Sequence, residues 1–507
     1  MELRKSAMES RDRKSCTPQL LVITDEAPYL FHRDNVTQEL KMEKRDASGQ
    51  QTGVKLLREI YLETKHFCAL IGDESVDDDT FDECARRVRE VDDKVQLVRV
   101  PIRTGLLSNN LKNAQFWPVY VQMDEKIEHL PNEDEAWKAS KEVNKRFSEA
   151  VLEAVEEEHQ SIVWIQDFRF WLAPKLVRQM LVKKELYCPI GTFIHIPFPP
   201  MKMLQKLKHY KEVLEGILGS DVICFHIKEF CTNFIECCEM ILGCQVNYES
   251  LEVHYNGRKV TLHAIPVGIK YDLYANLSCK EFPEDCHDVI EDLYNDNADH
   301  KIIIGVDRLD YAKGLGNRVK AFQRLLEKHP EHDGKVQYLQ VAVPVREGQP
   351  GFKHLKEEYE KLVSRTNAAL QKKGFSSKIN VVLENVPHHD LPVYYKRAHV
   401  GLVTPYRDAL NLVSLEYVAS QTSDPGVLVL SNYAGSAEFM HEALKVDPKN
   451  VEQMADTLHR ALTMPKQERQ TRMIKLRQRV KKELNIDQWV ELNMEVLLKI
   501  KRINELS

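Results

Sequence analysis

Short apolar runs alternate with stretches of helical periodicity along most of this chain, and this alternation limits the folds that it can adopt. A first series predicts strands at residues 20–24, 95–100, 162–165, 191–196 and 221–225. Helical patterns lie at about residues 143–157, 175–184, 203–218 and 229–242. Between two further apolar segments, Asn256 and Gly257 predict a type I′ hairpin. Strands that alternate with helices of this length form a parallel sheet with right-handed crossovers.

A second series begins near residue 301. Its predicted strands lie at residues 301–306, 337–343, 379–383, 400–404 and 426–430, again with helices between them. The chain is therefore predicted to be an α/β protein with two Rossmann-like, doubly wound domains that face a central cleft. We predict a disordered leader at 1–17, domains at 18–270 and 271–484, and a C-terminal helix at 485–507. The helical spacing of Trp489 and its apolar neighbours predicts that this helix returns to the N-terminal domain.

Length and composition exclude several classes of protein. With 507 residues, of which 43% are hydrophobic and 29% charged, the chain can form two or three domains with substantial cores. A net charge of -6 gives no reason to expect nucleic acid as a partner, and no apolar run is long enough to cross a membrane. Residues 1–14 lack the apolar core of a signal peptide, so we predict a cytoplasmic protein that is not bound to a membrane.

The cysteines raise the question of a zinc site. Five of the eleven lie near His226, at positions 224, 231, 237, 238 and 244. Their spacing does not form the paired CxxC knuckles of structural zinc sites, and several follow a helical apolar pattern. We therefore expect reduced thiols that pack in the core rather than metal ligands.

One stretch, residues 305–315, places two cations at the edge of a predicted sheet. Arg308 and Lys313 follow the apolar run at 302–304, and Gly314 provides a turn before the next helix. Open α/β sheets bind ligands at the carboxyl ends of their strands. Two fixed cations beside a helix N-terminus suit a phosphate or a diphosphate. The same pattern is also consistent with a charged surface loop. Motifs elsewhere in the sequence are needed to distinguish the two interpretations.

A second connection from strand to helix lies at residues 404–417. The backbone N–H groups of Asn411, Leu412 and Val413 are expected at the helix N-terminus, where they can face an anionic ligand. Glu416 is expected in the first turn of this helix. It would either complement the helix dipole or bind the two hydroxyls of a ribose.

Three more polar residues follow predicted strands. Asp167 and His195 lie at strand ends in the N-terminal half, and Arg346 follows the strand at 337–343. At such positions they can face the cleft. A single histidine at a strand end is also consistent with a purely structural role, and the residues alone do not decide this.

Five motifs in these stretches together resemble the trehalose-6-phosphate synthase family, retaining glycosyltransferases of family 20 with the GT-B architecture. The motifs are FIHIPFP (193–199), VDRLDYAKGL (306–315), QVAVPVR (340–346), TPYRDALNLVSLEYVASQ (404–421) and GVLVLSNYAGSAEF (426–439). The resemblance is collinear from about residue 160 into the C-terminal helix and is weak before residue 110. It implies two Rossmann-like domains on either side of the active-site cleft.

The resemblance also implies an activity. Glucose would pass from UDP-glucose to glucose 6-phosphate, with retention at the donor carbon, to form the α,α-1,1 linkage of trehalose 6-phosphate. The family uses no metal and no enzymic nucleophile, so no cofactor is expected. The expected partners are these two small molecules, and the resemblance leaves room for a homo-oligomer or a trehalose-synthesis complex.

Roles follow position by position from the resemblance. Arg308 and Lys313 would hold the donor diphosphate and stabilise charge as UDP leaves. The remaining donor-binding residues would be Asp408, Asn411, Leu412, Val413 and Glu416. The N-terminal half would contribute Asp167 and His195 to the reaction, and the acceptor would be bound by Trp117, Asp167 and Arg346.

Several departures from the family pattern fall on the acceptor side. Glu26 stands where the family has an arginine that binds the acceptor phosphate, and a carboxylate there is repulsive by about 1 kcal/mol. Ser108 replaces a tyrosine of the same subsite, and the glycine pair after the first strand is reduced to Gly53. Arg169, which replaces a histidine, is a new cation that could compensate. The donor side has one change, Ala409 for glycine.

Three functional hypotheses are compatible with these residues. The first is an active trehalose-6-phosphate synthase with a rearranged acceptor site. The second is a nucleotide-sugar-binding paralogue with little or no activity that serves as a regulatory subunit. The third is a retaining glycosyltransferase with another acceptor. His195, Arg308 and Lys313 favour the first hypothesis, whereas Glu26 and Ser108 favour the other two.

Overall fold

The computed structural model describes residues 18–34, 37, 39–44, 54–55, 64–70, 79–283, 286–295, 300–345, 352 and 354–505. The predicted leader at 1–17 lies outside the described residues, as do Gly53 and Arg346.

The N-terminal half contains one large sheet and one small hairpin. Its strands are β1 (Gln19–Ile23), β2 (Tyr29–Arg33), β3 (Leu40–Lys44), β4 (Thr64–Cys68), β5 (Val95–Leu97), β6 (Ser161–Gln166), β7 (Ile190–Phe193), β8 (Val222–Phe225), β9 (Gln245–Asn247), β10 (Glu252–Tyr255) and β11 (Arg258–Ala264). In the described residues the large sheet has the order β5-β4-β1-β6-β7-β8-β11-β10-β9. Its pairs are parallel except for those among β9, β10 and β11, and β2 pairs with β3 separately.

The C-terminal half contains a fully parallel sheet. Its strands are β12 (Lys301–Leu309), β13 (Val336–Pro344), β14 (Ile379–Val382), β15 (Val400–Val403), β16 (Val427–Ser431) and β17 (Leu444–Val446). Within the described part of the chain their order is β14-β13-β12-β15-β16-β17. Numbered from β12, this is the order 3-2-1-4-5-6 of a Rossmann sheet, and the first six parallel strands of the N-terminal sheet repeat it.

Helices connect the strands. They are α1 (Phe81–Val91), α2 (Ile102–Leu111), α3 (Trp117–Tyr120), α4 (Glu133–Glu157), α5 (Ala173–Lys183), α6 (Met201–Leu204), α7 (Tyr210–Ile217), α8 (Lys228–Leu242), α9 (Tyr271–Leu277), α10 (Asp288–Asn295), α11 (Leu315–Lys328), α12 (Leu355–Lys372), α13 (Leu391–Arg397), α14 (Leu412–Ser420), α15 (Val451–Thr463), α16 (Lys466–Glu483) and α17 (Ile486–Glu505). A π-helical stretch, Lys112–Phe116, joins α2 to α3. Single 3₁₀ turns include Phe168–Phe170, Tyr311–Lys313 and Pro330–His332.

The predicted α/β architecture is confirmed, with differences in individual elements. The hairpin at Asn256 and Gly257 forms with φ of 48° and 74°, as a type I′ turn requires. The strand predicted at 95–100 ends at Leu97, because its only described neighbour, β4, ends at Cys68. The helix predicted at 203–218 is two helices, since the residues between α6 and α7 form turns that bury Leu207.

The C-terminal helix returns to the N-terminal sheet, as predicted. Trp489 of α17 is 1% exposed, and its ring centroid lies 5.3 Å from that of Trp164 on β6 and 5.1 Å from that of Phe193 on β7. A side chain at Gly191 would collide with Leu497 of the same helix. The apolar face of α17 therefore packs directly on the sheet that carries Asp167 and His195.

Strand order places the cleft residues. A doubly wound sheet binds ligands where its strand order reverses, which is between β12 and β15 in one half and between β1 and β6 in the other. The domain boundaries at 270 and 484 stay predictions. Within the described residues, none of the helices combines the length and the apolar character needed to span a membrane.

Candidate functional site

The turn after β12 has a conformation that only glycine adopts easily. Asp310 caps the turn by accepting a hydrogen bond from the Ala312 N–H at 3.0 Å, and Gly314 follows with φ of 68°. A Cβ at Gly314 would lie 2.6 Å from the carbonyl oxygen of Thr404, at the end of β15. The turn is thus pressed against the neighbouring strand, and this contact brings Lys313 to the residues that follow β15.

Lys313 forms the centre of the predicted donor cluster. Its Nζ lies 2.6 Å from Asp408 Oδ2, and the Asn411 amide donates to the same oxygen at 3.0 Å. Burial alone would raise the pKa of the Asp408 carboxyl, but Lys313, Asn411 and Arg308 outweigh it and lower the pKa. Asp408 is therefore ionised near neutral pH and holds the ammonium group in a fixed position.

Arg308 lies on β12, and its charge contributes to the lowered pKa of Asp408. Because side chains alternate along a strand, Arg308 is exposed while its neighbour Asp307 is 7% exposed. The Arg308 guanidinium lies 5.8 Å from the centroid of the Trp117 ring, and Trp117 Nε1 donates to Asp310 Oδ1 at 3.3 Å. Trp117 comes from the N-terminal half. Arg308 is therefore an accessible cation on the surface between the two halves.

A buried arginine, Arg318, stabilises the turn that carries Lys313. Arg318 of α11 is 0% exposed and donates to Asp307 Oδ2 at 2.5 Å, to Thr404 Oγ1 at 2.9 Å and to the Lys313 carbonyl at 3.1 Å. It thereby joins β12, the end of β15 and the turn that carries Lys313. The sequence patterns did not indicate this role, because Arg318 lies in an amphipathic helix whose other buried residues are mainly apolar.

The N-terminus of α14 has the predicted character. Asn411 has φ of 74° and accepts a hydrogen bond from the Ser414 N–H at 3.1 Å, so it caps the helix. Leu412 and Val413 form the first turn, whose backbone N–H groups have no carbonyl acceptor earlier in the helix. These donors lie next to Asp408, at the carboxyl end of β15. The arrangement can bind the oxygens of an anionic ligand.

Glu416 lies one turn further along α14 than predicted. The prediction of the first turn was wrong because the helix begins at Leu412, which makes Glu416 its fifth residue. Tyr274 and Tyr395 donate to its two carboxylate oxygens at 3.1 Å and 3.4 Å. Burial raises the pKa of Glu416, although His388 and the two hydroxyls act in the opposite direction. The helix dipole acts mainly on charges in the first turn, so it does not explain why a carboxylate is buried at position 416.

Asp167 has strained backbone geometry at the end of β6. Its φ of 64° and ψ of -178° are rarely adopted by residues other than glycine and cost about 1–3 kcal/mol. Its Oδ1 accepts a hydrogen bond from the His195 N–H at 3.3 Å. Burial, followed by the charge of Asp25, raises the pKa of Asp167 to about 7. Strain and a perturbed carboxyl together are typical of functional sites.

His195 follows β7, as predicted, and is held as a neutral imidazole. Its Nε2 lies 2.9 Å from Gln166 Oε1, a geometry in which Nε2 carries the proton. Its ring packs against Phe193, His226 and Trp489. Burial, and then His226, hold the pKa of His195 well below its usual range. His195 can therefore donate or accept hydrogen bonds near neutral pH without adding positive charge.

The N-terminal half contains an internal ion cluster, near the residues predicted to bind the acceptor, that the sequence did not predict. Asp25 Oδ2 lies 2.8 Å from both Lys112 Nζ and Arg169 Nε, and Arg169 also donates to Asn109 at 3.0 Å. Arg169 is 6% exposed, whereas Glu26 is exposed. Arg169, proposed above as a substitute phosphate ligand, is thus paired with a carboxylate of its own chain. Asp25 and Lys112 could not be found from spacing because they lie 87 residues apart.

The two halves bring most of the predicted residues together. Trp117 contacts Asp310 across the cleft, and the Asp408 carboxylate acts on the pKa of His226, which packs on His195. Of the five predicted core cysteines, those at positions 224, 231, 237 and 238 are buried, and Cys244 is half-buried. Among the described residues, one group has ligand atoms close enough for a metal ion, namely His329, Glu331 and His459. It follows the other end of α11, about 21 Å from Gly314.

Comparison with known proteins identifies the family. The chain matches the profile of glycosyltransferase family 20 over residues 18–499. It is 29% identical to the α,α-trehalose-phosphate synthase (UDP-forming) of Schizosaccharomyces pombe, with 90% of this chain and 86% of that protein covered. It is 33% identical to the corresponding synthase A of Dictyostelium discoideum, with 71% of this chain covered, but it spans only 47% of that protein.

Solved structures agree on the architecture. The trehalose-6-phosphate synthase OtsA superposes with a TM-score of 0.80 at 25% identity, covering 94% of this chain and 98% of OtsA. The α,α-trehalose-phosphate synthase (UDP-forming) of Burkholderia xenovorans, in complex with glucose-6-phosphate, superposes with a TM-score of 0.78 at 25% identity, covering 95% and 100%. The GT-B fold is thereby confirmed. Because the family profile spans nearly all of its residues, this chain is a member of glycosyltransferase family 20.

Proposed function

We propose that this chain is an α,α-trehalose-phosphate synthase that transfers glucose from UDP-glucose to glucose 6-phosphate and releases UDP. Its relatives in Schizosaccharomyces pombe and Dictyostelium discoideum are synthases of this kind by name, and the Burkholderia xenovorans structure contains glucose-6-phosphate. One observation carries the proposal. Lys313, Asp408 and Asn411 form a fixed, hydrogen-bonded cluster beside the N-terminus of α14, at the strand-order switch point of the C-terminal sheet.

The donor would bind with its diphosphate at this cluster. Lys313 is already held by Asp408, and Arg308 is exposed on the cleft, so both cations can approach phosphate oxygens without large rearrangement. Negative charge grows on the β-phosphate oxygen as its bond to the glucose C1 breaks. Fixed cations and the first N–H groups of α14 stabilise that charge. In this proposal the two cations make a metal ion unnecessary.

Glu416 would bind the ribose. Two tyrosine hydroxyls, from Tyr274 and Tyr395, orient its carboxylate. A carboxylate is an acceptor for two hydroxyl donors, which is what a ribose diol offers. The tyrosine contacts make Glu416 a rigid acceptor rather than a mobile one, and this favours recognition of a nucleoside over a simple sugar phosphate.

The acceptor would enter from the N-terminal half. Its C1 hydroxyl attacks the donor C1 on the face that UDP leaves, and the hydroxyl proton passes to the departing phosphate oxygen, so the configuration is retained. Asp167 and the neutral His195 would orient the two sugars by hydrogen bonds. Trp117 and Arg346 would complete the acceptor subsite. No residue of the protein forms a covalent bond to glucose in this sequence of steps.

A UDP-release assay tests the proposal. The purified chain is incubated with UDP-glucose, with and without glucose 6-phosphate, and the released UDP is quantified. We expect release that depends on glucose 6-phosphate. UDP-glucose binding without acceptor-dependent release would instead support a regulatory subunit, and release with a different acceptor in a panel of sugars and sugar phosphates would support another transferase.

A further inference from the structure

Three imidazoles and one carboxylate meet on the C-terminal half, remote from the candidate site. His329 follows the last residue of α11, Glu331 and His332 lie in the 3₁₀ turn Pro330–His332, and His459 lies on α15. His332 is 8% exposed, the side chains of His329 and His459 are partly buried, and Glu331 reaches solvent. Four ligand-type side chains thus converge from two segments that are 127 residues apart in sequence.

Three of these side chains, His329, Glu331 and His459, each place a ligand atom within 4.8 Å of the other two. Glu331 Oε1 lies 3.5 Å from His329 Nδ1 and 3.8 Å from His459 Nδ1. His332 Nε2 lies 2.9 Å from the same His459 nitrogen. Ligand atoms that surround one zinc ion tetrahedrally at about 2.0–2.1 Å are roughly 3.4 Å apart. The three atoms are therefore close to the spacing of a coordination shell, and one of the stacked rings and His332 have to rotate to complete it.

A neighbouring carboxylate favours the required tautomer of His329. Asp456 Oδ1 lies 3.9 Å from His329 Nε2, on the far side of the ring from Glu331. A proton on Nε2 faces Asp456 and leaves the Nδ1 lone pair directed toward Glu331. Histidines that bind metals are commonly oriented in this way by a carboxylate on their second nitrogen. Asp456 is also paired with Lys328, which fixes its position.

We propose that His329, Glu331, His332 and His459 form a structural site for a divalent transition-metal ion, with Zn²⁺ as the best match. Nitrogen and carboxylate ligands in a four-coordinate shell suit zinc. The rings of His329 and His459 are stacked at 3.7 Å and 11°, so one ring has to turn about its Cβ–Cγ bond, because a metal lies in the plane of each imidazole that it binds. The ion replaces the hydrogen bond between His332 and His459.

The ion would join two packed elements of the C-terminal half. α11 begins at Leu315, directly after Lys313 and Gly314, and α15 packs along it. A metal that ties the turn after α11 to α15 fixes the far end of the helix that carries the donor turn. The site stabilises the fold in this proposal and takes no part in glucose transfer, so it is independent of the proposed function.

Zinc titration of the full chain tests the site. The chain, without an affinity tag, is stripped with EDTA, desalted into a reducing buffer that does not bind metal, and titrated with Zn²⁺ by calorimetry. We expect one saturable site and a rise in Tm that EDTA reverses. The double variant His329→Ala/His459→Ala should weaken zinc binding by about a hundredfold or more. The matched control His254→Ala, which removes an exposed histidine on β10, should bind as the wild type does.

A second variant covers the case in which the double variant fails to fold. Glu331→Gln changes only an exposed side chain and should weaken zinc binding by about tenfold. It should also alter the visible spectrum of bound Co²⁺, which reports a four-coordinate shell. Absence of saturable binding would overturn the proposal. Equal zinc affinity in wild type, the double variant and Glu331→Gln would also overturn it, because zinc would then bind elsewhere on the chain.

Discussion

Lys313 and Asp408 meet 2.6 Å apart at the point where the strand order of the C-terminal sheet reverses. Lys313 follows β12 and Asp408 follows β15, and the two strands are neighbours although Lys313 and Asp408 are 95 residues apart in sequence. The pair is largely buried, with side-chain exposures of 12% and 17%. A buried pair of opposite charges with a second donor, Asn411, is a preorganised site rather than a solvated surface loop.

Removal of the Lys313 ammonium should therefore affect turnover more than folding. We expect Lys313→Ala to lower kcat/KM for UDP-glucose by about 10²–10³, because one fixed donor to the leaving group is lost. Arg308→Ala should have an effect in the same direction. Lys320→Ala, which removes an exposed lysine on α11, is the matched control and should stay near wild type. Steady-state kinetics of the three variants provide the comparison, and a Lys313→Ala enzyme with wild-type kinetics would contradict the diphosphate assignment.

Arg318 should be required for stability. Arg318→Met leaves the buried Asp307 without its cation and should lower the free energy of unfolding by about 3–5 kcal/mol. Adding Asp307→Leu removes the unpaired charge and should restore much of the loss. Chemical denaturation of the single and double variants measures both effects. If the single and double variants were equally stable, the loss of stability in Arg318→Met would come from lost packing and not from the broken ion pair.

Asp167 should make stability depend on pH. Its pKa is raised to about 7 in the folded chain, so between about pH 4 and 7 the folded state holds a proton that the unfolded state has lost. This contribution to stability is complete below the unfolded pKa and disappears as the pH rises through 7. At about 1.4 kcal/mol per pKa unit it amounts to no more than about 4 kcal/mol.

The variant Asp167→Asn isolates that contribution. Urea unfolding of wild type and variant is measured from pH 5 to 8, and all other titrating groups are common to both proteins. We expect the wild type to lose stability relative to the variant as the pH rises. Parallel curves would show that Asp167 titrates in its ordinary range.

Asp25 should control this titration. Burial would raise the pKa of the Asp25 carboxyl, but Lys112 and Arg169 outweigh it and hold that pKa well below its usual range. Asp25→Asn removes a negative charge beside Asp167 and leaves two cations there, so the pKa of Asp167 should fall. The free energy of unfolding of Asp25→Asn is compared with that of Asp25→Asn/Asp167→Asn across the same pH range. The pH at which this difference changes should be lower than the pH at which the difference between wild type and Asp167→Asn changes. An unchanged midpoint would mean that burial alone raises the pKa of Asp167.

The donor side could be predicted from the sequence because its residues follow strands that the sequence shows clearly. The apolar residues before Arg308 and the 3.6-residue period of α11 locate both ends of the turn. Local pattern is enough here, since strand ends meet at one edge of a parallel sheet. The same reasoning located Asp167 and His195.

The ion cluster around Asp25 could not be predicted in the same way. β4 has the sequence TKHFC, with a lysine and a histidine, and its burial comes from β1 and β5 on either side rather than from its own apolar content. The partners of Asp25, Lys112 and Arg169, lie 87 and 144 residues away in sequence, beyond the reach of any periodicity. Glu416 was expected in the first turn of α14, but the helix begins at Leu412, directly after the cap residue Asn411.

The most direct test of the account is the identity of the product. The purified chain is supplied with UDP-glucose and glucose 6-phosphate, and the reaction is followed by NMR. We predict UDP and a 1,1-linked disaccharide phosphate in equal amounts, with the α configuration at both anomeric carbons. Release of UDP with free glucose, a β linkage at the donor carbon, or no reaction at all would contradict the assignment of this chain as a retaining trehalose-phosphate synthase.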